Sequence, residues 1–241
     1  MKHVTTISLF LLFPAVLLAS EPVASEPQSC NIKMRTLVLA FHKYADTNNE
    51  LRFPPPFTVN VDNKPLHSWR VLILPFIGQE ELYKAIRLEE PWNSEHNKQF
   101  HDKMPEAFRC PASTLGNPNR DTTYCMVVGK DVIGVPDGKG TTVPQITDGT
   151  SHTILLVERK TPVCWMEPTD VLQEHAYLGI NKHKFGIGSE HAWGIVATLA
   201  DGSNHFLKEG IGLNMLKSLL TKAGVETVNR DELLVFLEFV Q

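Results

Sequence analysis

The sequence predicts an α+β fold in which an N-terminal amphipathic helix packs on an antiparallel sheet, with long ordered loops and further helices at the C-terminal end. Two patterns indicate this fold. Apolar residues recur at helical spacing over residues 30–47, and an extended run from Ile195 is followed by Asp201-Gly202 and a second extended run, Ser203 to Leu207. An Asp-Gly pair between two strand-like runs is typical of a β-hairpin with a two-residue type I′ turn.

The predicted N-terminal helix, Cys30 to Thr47, has one apolar face. The charged residues Lys33, Arg35 and Lys43 lie largely off that face, as an amphipathic helix requires. We therefore expect this helix to lie across the sheet with its apolar stripe inward. The stripe consists of Met34, Leu37, Val38, Phe41, Tyr44 and Ala45.

Other segments complete the predicted secondary structure. β-Branched and aliphatic residues predict strands at Thr122 to Val128 and Thr153 to Val157. Leucines at helical spacing predict a helix from Gly212 to Ala223, and Ser68 is a candidate N-cap for a shorter one. A last amphipathic helix is predicted over Glu232 to Phe239.

Composition is that of an ordinary globular protein. The chain has 241 residues, of which 42% are hydrophobic and 21% charged, and its formal net charge is -4. A mildly acidic chain lacks the basic surface that nucleic acids and anionic membranes attract. We therefore expect neither kind of partner.

The first 20 residues have the pattern of a secretory signal peptide. Lys2 precedes an apolar, uncharged run from Val4 to Ala19, which is shorter than the roughly 20 residues of a spanning helix. We expect cleavage between Ala19 and Glu26, a secreted or periplasmic mature protein and no membrane span after cleavage; a retained anchor is the alternative. The expected organisation is a signal peptide (1–20), a linker (21–29), a globular domain (30–210) and a C-terminal helical extension (211–241).

Several blocks of the sequence resemble a bacterial prepilin-like family. His191, nine intervening residues and then Asp201-Gly202 are similar to its signature, called "prepilin-type processing-associated H-X9-DG", in domain-of-unknown-function family 1559. The resemblance implies a pilin-like or pseudopilin-like head, with His191, Asp201 and Gly202 in structural roles, and it adds no catalytic residue. The other similar blocks are Cys30 to Tyr44, Phe53-Pro54-Pro55, Ser68 to Tyr83, Glu90-Pro91-Trp92, Phe108 to Pro111, Ile146 to Glu158 and Trp165 to Asp170.

Four cysteines in an exported chain favour disulfides, because the compartment is oxidising. Cys30 and Cys110 both lie within blocks that resemble the family, and we predict that they pair. Cys125 and Cys164 lie in predicted strands, where either a second disulfide or two buried thiols is expected.

No familiar catalytic or metal motif is present in the sequence. His152, His191 and His205 flank predicted strands, so folding could gather them into a zinc or hydrolase site, but dispersed histidines are more often structural. Three Asp-Gly pairs suggest calcium, yet their surroundings lack the ligand pattern of a calcium loop. We therefore predict no catalytic, cofactor or metal site, with calcium as the minor alternative.

Two functions follow from these observations. The favoured one is a secreted, non-enzymatic structural or interaction protein of the cell envelope, with a pilin-like head and a protein partner. The alternative is a cell-envelope hydrolase or metal-dependent binding protein that uses His191 and Asp201.

Overall fold

The computed structural model describes residues 26–47, 49–224 and 237–239. The predicted signal peptide and its cleavage region lie outside these residues. Within the described part, none of the helices combines the length and the hydrophobicity needed to cross a bilayer.

The described chain contains five α-helices, nine strands and several short 3₁₀ helices. The α-helices are α1 (Glu26–Asp46), α2 (Trp69–Leu72), α3 (Glu80–Ala85), α4 (Gln173–Ala176) and α5 (Leu213–Leu220). The strands are β1 (Phe57–Val59), β2 (Pro65–Ser68), β3 (Asp121–Cys125), β4 (Val127–Val128), β5 (Ile154–Cys164), β6 (Val171–Leu172), β7 (Gly194–Leu199), β8 (Asn204–Lys208) and β9 (Leu237–Phe239). The 3₁₀ helices are Leu74–Ile77, Asn97–Phe100, Glu106–Phe108 and Val143–Gln145.

Helix α1 has the amphipathic character that the sequence predicts. Its buried face includes Met34, Leu37 and Phe41, whereas Arg35 and Lys43 are exposed. The helix begins at Glu26, four residues before the predicted start, and so includes part of the expected linker. Pro27 stands in its first turn, where a missing backbone N–H breaks no helical hydrogen bond.

The central sheet is antiparallel and has the strand order β3-β5-β7-β8-β9. One face packs against α1, which contacts β5, β7 and β8. Side chains alternate between the faces of a strand, so Val196 lies on the α1 side while Ile195 and Ala197 belong to a second core. Leu216 and Leu219 of α5 cover that second core. The structure is thus a helix-on-sheet α+β fold, as expected.

The predicted hairpin is formed by β7 and β8, which pair in register from Gly194↔Lys208 to Thr198↔Asn204. Its turn differs from the two-residue type I′ prediction. The backbone N–H of Leu199 donates to the carbonyl of Ser203 at 2.9 Å, and Gly202 adopts a φ of +93° while Asp201 does not have a positive φ. This is a three-residue loop with one left-handed residue, so only the glycine needs a conformation that side chains resist.

The C-terminal segment differs from the prediction. Residues 237–239, expected in a helix, form strand β9, which pairs antiparallel with β8 through His205↔Phe239 and Leu207↔Leu237. The helical prediction for this stretch was therefore wrong; residues 225–236 lie outside the described part. Helix α5 covers the second core, and β9 extends the central sheet.

The strand register keeps Cys125 and Cys164 apart. Cys125 faces Val157 on β5, whereas Cys164 faces Asp121 at the other end of the same pairing. Four residues along a strand correspond to roughly 13 Å. The two cysteines also belong to different cores, so the structure does not support a second disulfide. Both are buried thiols.

A buried ion pair joins α2 to the segment before β6. Nη2 of Arg70 lies 3.0 Å from Oδ1 of Asp170, and both side chains are fully buried. The same carboxylate oxygen accepts hydrogen bonds from the backbone N–H of Met126 at 3.0 Å and from Nε1 of Trp69 at 3.2 Å. Arg70 also donates to the carbonyl of Tyr124 at 2.6 Å. This network ties together three segments that are distant in sequence.

Candidate metal centre

Four side chains with metal-binding atoms meet beneath helix α1. They are Cys30, Cys110, Glu158 and His191, and one potential ligand atom from each lies within 4.8 Å of the others. Each residue is at most 5% exposed. Four separate parts of the chain contribute one side chain each, so only the complete fold assembles this group.

The two cysteines reach the centre from the helix side of the sheet. Cys30 occupies the buried face of α1, one turn before Met34. Cys110 follows the 3₁₀ helix Glu106–Phe108, whose last residue is buried. Oγ1 of Thr122 on β3 donates to the carbonyl of Phe108 at 2.6 Å and fixes that segment against the sheet.

Glu158 is a charged residue inside strand β5 and is fully buried. Its Oε2 accepts a hydrogen bond from the backbone N–H of Val196 on β7 at 2.8 Å. Its Oε1 lies 3.3 Å from Nε2 of His191 and accepts no well-formed hydrogen bond from any described residue. One carboxylate oxygen is therefore anchored by the backbone, while the other faces the imidazole.

His191 lies in the loop that precedes β7. Oγ of Ser189 accepts from the backbone N–H of His191 at 3.1 Å and donates to the carbonyl of Gly194 at 2.7 Å. Trp193 within this loop has a φ of +72°, which non-glycine residues rarely adopt. The constrained loop directs the imidazole inward, towards α1 and β5.

The distances are close to those of a four-coordinate site. Nε2 of His191 lies 3.2 Å from Sγ of Cys30, 3.7 Å from Sγ of Cys110 and 3.3 Å from Oε1 of Glu158. Tetrahedral zinc, with bonds of about 2.3 Å to sulfur and 2.0–2.2 Å to nitrogen and oxygen, would separate these pairs by about 3.3–3.6 Å. The two Sγ atoms are 2.8 Å apart, so they would have to move apart by about 1 Å to bind the same ion.

Burial and close contacts perturb the protonation of the centre. Burial lowers the pKa of His191, but its contacts with Cys110 and Glu158 outweigh that effect and raise the pKa to about 10. Contact with Cys30 and burial raise the pKa of the Cys110 thiol. Burial, together with the charges of Cys30 and Cys110, raises the pKa of Tyr124 nearby. The raised pKa values of Cys110 and His191 favour their protonated forms, and a divalent ion bound by these groups would displace the protons.

The other residues of the predicted motif do not join this centre. Oδ1 of Asp201 accepts from the backbone N–H of Ser203 at 2.8 Å and from its hydroxyl at 2.7 Å, which is turn chemistry. Gly202 serves the same turn. The hydrogen bonds of the Asp201 side chain to described residues thus lie within its own turn and do not involve His191, which gives the hydrolase alternative no support.

The remaining histidines of the predicted group also lie elsewhere. Nδ1 of His152 lies 3.1 Å from the hydroxyl of Ser151, and Nε2 of His205 lies 3.1 Å from that of Ser203. Burial lowers the pKa of His205. Among the three histidines, only His191 belongs to the group with metal-binding geometry described above.

The sequence predicted that Cys30 and Cys110 lie close together, but it did not identify Glu158 as their neighbour. A signal was available, since Glu158 directly follows the predicted strand Thr153 to Val157. A charged residue there is either at an edge or buried with a partner.

One comparison with known proteins matches the part of the chain that contributes three of the four residues of this centre. No curated protein and no solved structure matches the chain significantly. Residues 28–177, which include Cys30, Cys110 and Glu158, match a family described as "Protein of unknown function (DUF1559)". This match covers more than half of the 241 residues and confirms the resemblance seen in the sequence. The chain belongs to the DUF1559 family.

Proposed function

We propose that this protein is an exported, non-enzymatic structural or interaction protein of the cell envelope, whose pilin-like domain is held together by a closed zinc centre of Cys30, Cys110, Glu158 and His191. The convergence of these four buried side chains is the observation that carries the proposal. Its partner is another protein of the envelope.

Zinc suits the donor set. Two thiolates and an imidazole are borderline-soft ligands that favour zinc over calcium or magnesium, and one carboxylate completes a tetrahedron. The Oε1 of Glu158 supports a cation, because its direct partner among the described residues is Nε2 of His191 at 3.3 Å, and a buried carboxylate oxygen with so little compensation is costly. An ion at this point would contact all four groups and offset that cost.

The closed position of the centre supports a structural role. A catalytic zinc keeps one position open for water or substrate, whereas a structural zinc is enclosed by four protein ligands. Cys110 lines a cleft of about 240 Å³, but Cys30, Glu158 and His191 do not line it. The cleft thus gives an ion a path to the site without exposing the remaining ligands to a substrate.

A Cys30–Cys110 disulfide, as predicted from the sequence, is the competing state of the same two thiols. It requires the Sγ atoms to approach to about 2.05 Å. A disulfide would leave His191 and Glu158 as a buried ion pair beside it. It does not account for the convergence of all four ligand atoms, and for that reason we favour zinc.

Metal analysis of protein purified from the envelope or culture medium, without chelator or reductant, tests the proposal. We expect about one zinc per chain, and four thiols that react once the protein is denatured with chelator. Recovery of a Cys30–Cys110 linked peptide in metal-free protein would instead establish the disulfide.

Export is tested separately by the intact mass of the mature protein. We expect a mass that corresponds to cleavage between Ala19 and Glu26. Retention of residues 1–19 in the exported protein would contradict the proposed secretory route. This outcome is independent of the metal analysis, so the two parts of the proposal can fail separately.

A further inference from the structure

A second site lies at the open end of β5, apart from the metal centre. It is a pocket of about 500 Å³ with mainly apolar walls. This volume falls within the range of small-molecule sites. Its lining includes Phe57, Val163, Pro168, Leu172 and Phe185, with Arg159 among them.

Arg159 is the unusual member of this lining. It is only 3% exposed, and its Nε and Nη1 atoms donate no hydrogen bond to any described residue. The guanidinium contacts the thiol of Cys125, which is a weak acceptor. A buried cation with two unused donors is costly unless an acceptor occupies the adjacent space.

The acidic groups nearby give this guanidinium no direct ion pair. Asp170 also lines the pocket; its Oδ1 lies 3.0 Å from Arg70 and accepts from Trp69 and Met126, whereas its Oδ2 accepts no hydrogen bond from any described residue. Glu167 is half-buried, and its Oε1 accepts from Thr169 at 2.8 Å. Among the described residues Arg159 therefore has no direct ion pair, and the nearby charge of Asp170 is shared with Arg70.

The mouth of the pocket is apolar. Leu172 is 43% exposed and Phe185 is 41% exposed, so each presents substantial apolar surface to solvent. Nζ of Lys184 lies 4.6 Å from the ring centre of Phe185 and adds positive charge beside the entrance. A ligand that enters the pocket would thus contact apolar side chains at the mouth and the guanidinium of Arg159 in the interior.

We propose that this pocket binds a small organic carboxylate with an apolar body. The carboxylate accepts hydrogen bonds from Nε and Nη1 of Arg159, whose planar arrangement suits two-point recognition. The apolar chain or ring lies against Leu172 and Phe185. This proposal is independent of the zinc centre, because the pocket shares no residue with it.

Titration of the purified full-length mature protein with 4-phenylbutyrate and 4-phenylbutan-1-ol, followed by ligand-observed NMR, tests the charge requirement. The two probes share an apolar body and differ at the carboxylate. We expect saturable binding of the acid and binding of the alcohol that is at least about tenfold weaker. Equal affinities, or no saturable binding of the acid, would overturn the proposal and leave a pocket occupied by water.

Two variants locate the binding. Leu172→Glu places a negative charge at the partly exposed mouth and should weaken binding of the acid by about tenfold or more, since like charges repel. Leu178→Glu is the matched control, because Leu178 is 50% exposed and does not line the pocket. Arg159→Met should abolish the preference for acid over alcohol. If Leu172→Glu behaved like Leu178→Glu, the proposal would be wrong, even if Arg159→Met failed to fold.

Discussion

Sγ of Cys30 lies 2.8 Å from Sγ of Cys110, although the two residues are 80 positions apart in sequence. The distance is longer than the roughly 2.05 Å of a disulfide and shorter than the roughly 3.8 Å between two sulfurs on one tetrahedral zinc. A movement of one thiol by about 1 Å reaches either state. The neighbours of the pair, Glu158 and His191, therefore become the basis for choosing between them.

Replacement of a single ligand should remove the metal. His191→Ala deletes the nitrogen ligand, and we expect zinc affinity to fall by more than the roughly 10- to 100-fold that loss of an outer-shell partner costs. Competition with a chromophoric chelator measures the affinity. Cys125→Ser is the matched control, because Cys125 is a buried cysteine outside the centre. Equal zinc affinities in the two variants would place the metal elsewhere.

Removal of the metal should destabilise the fold. In the proposed centre, zinc would link α1, the segment after Phe108, β5 and the loop before β7, and ligand binding to the folded state adds to the free energy of unfolding. For a domain of this size each kcal/mol shifts Tm by about 2–4 °C, so we expect a chelator to lower Tm by several degrees. Thermal unfolding followed by circular dichroism measures the shift.

The same measurement on His191→Ala supplies the control for chelation. This variant should begin with a lower Tm and show no further decrease with chelator. A wild-type Tm that does not respond to prolonged chelation, in protein shown to have lost its zinc, would contradict a structural role.

Gly202 is predicted to be the conformationally restricted residue of the hairpin. Its φ of +93° is unfavourable for a β-branched residue, and the nearest atom to an added Cβ, Cγ1 of Val38, is 3.8 Å away. Steric clash is therefore small, and Gly202→Val should lower the free energy of unfolding by about 1–3 kcal/mol through backbone strain. Denaturant unfolding measures this change.

Gly210 provides the comparison for that substitution. It also has open space around its Cα, but its φ lies outside the left-handed region. Gly210→Val should change the stability much less than Gly202→Val. Similar losses for the two variants would show that positive φ is not the cause.

Local patterns account for the elements that were predicted correctly. The stripe of α1 and the β7–β8 hairpin depend on periodicity and on one turn, which neighbouring residues determine. Residues 237–239 were misassigned because leucines at Leu233, Leu234 and Leu237 have helical spacing, whereas pairing with β8 is a long-range interaction. For these residues, pairing with β8 outweighed the local helical pattern.

The candidate centre was predictable only in part. Cys30 and Cys110 were expected to lie together, from the family-like blocks that contain them. Glu158 and His191 join them because β5 turns one face towards α1 and because Ser189 fixes the loop before β7. Neither the face of a strand nor the direction of a loop side chain follows from spacing in a single sequence.

Breaking the ion pair between Arg70 and Asp170 should strongly destabilise the fold, because both side chains are fully buried. Arg70→Met leaves a buried carboxylate without its cation, and we expect a loss of about 3–5 kcal/mol in the free energy of unfolding. Arg70→Met combined with Asp170→Leu removes both charges and should lose less than Arg70→Met alone, although Met126 N–H then lacks its acceptor. The exposed pair Lys84–Glu81 is the matched control, and Lys84→Met should produce no measurable change. Urea unfolding of the variants measures these differences, and a double variant less stable than Arg70→Met would show that hydrogen bonds to Asp170 outweigh charge compensation.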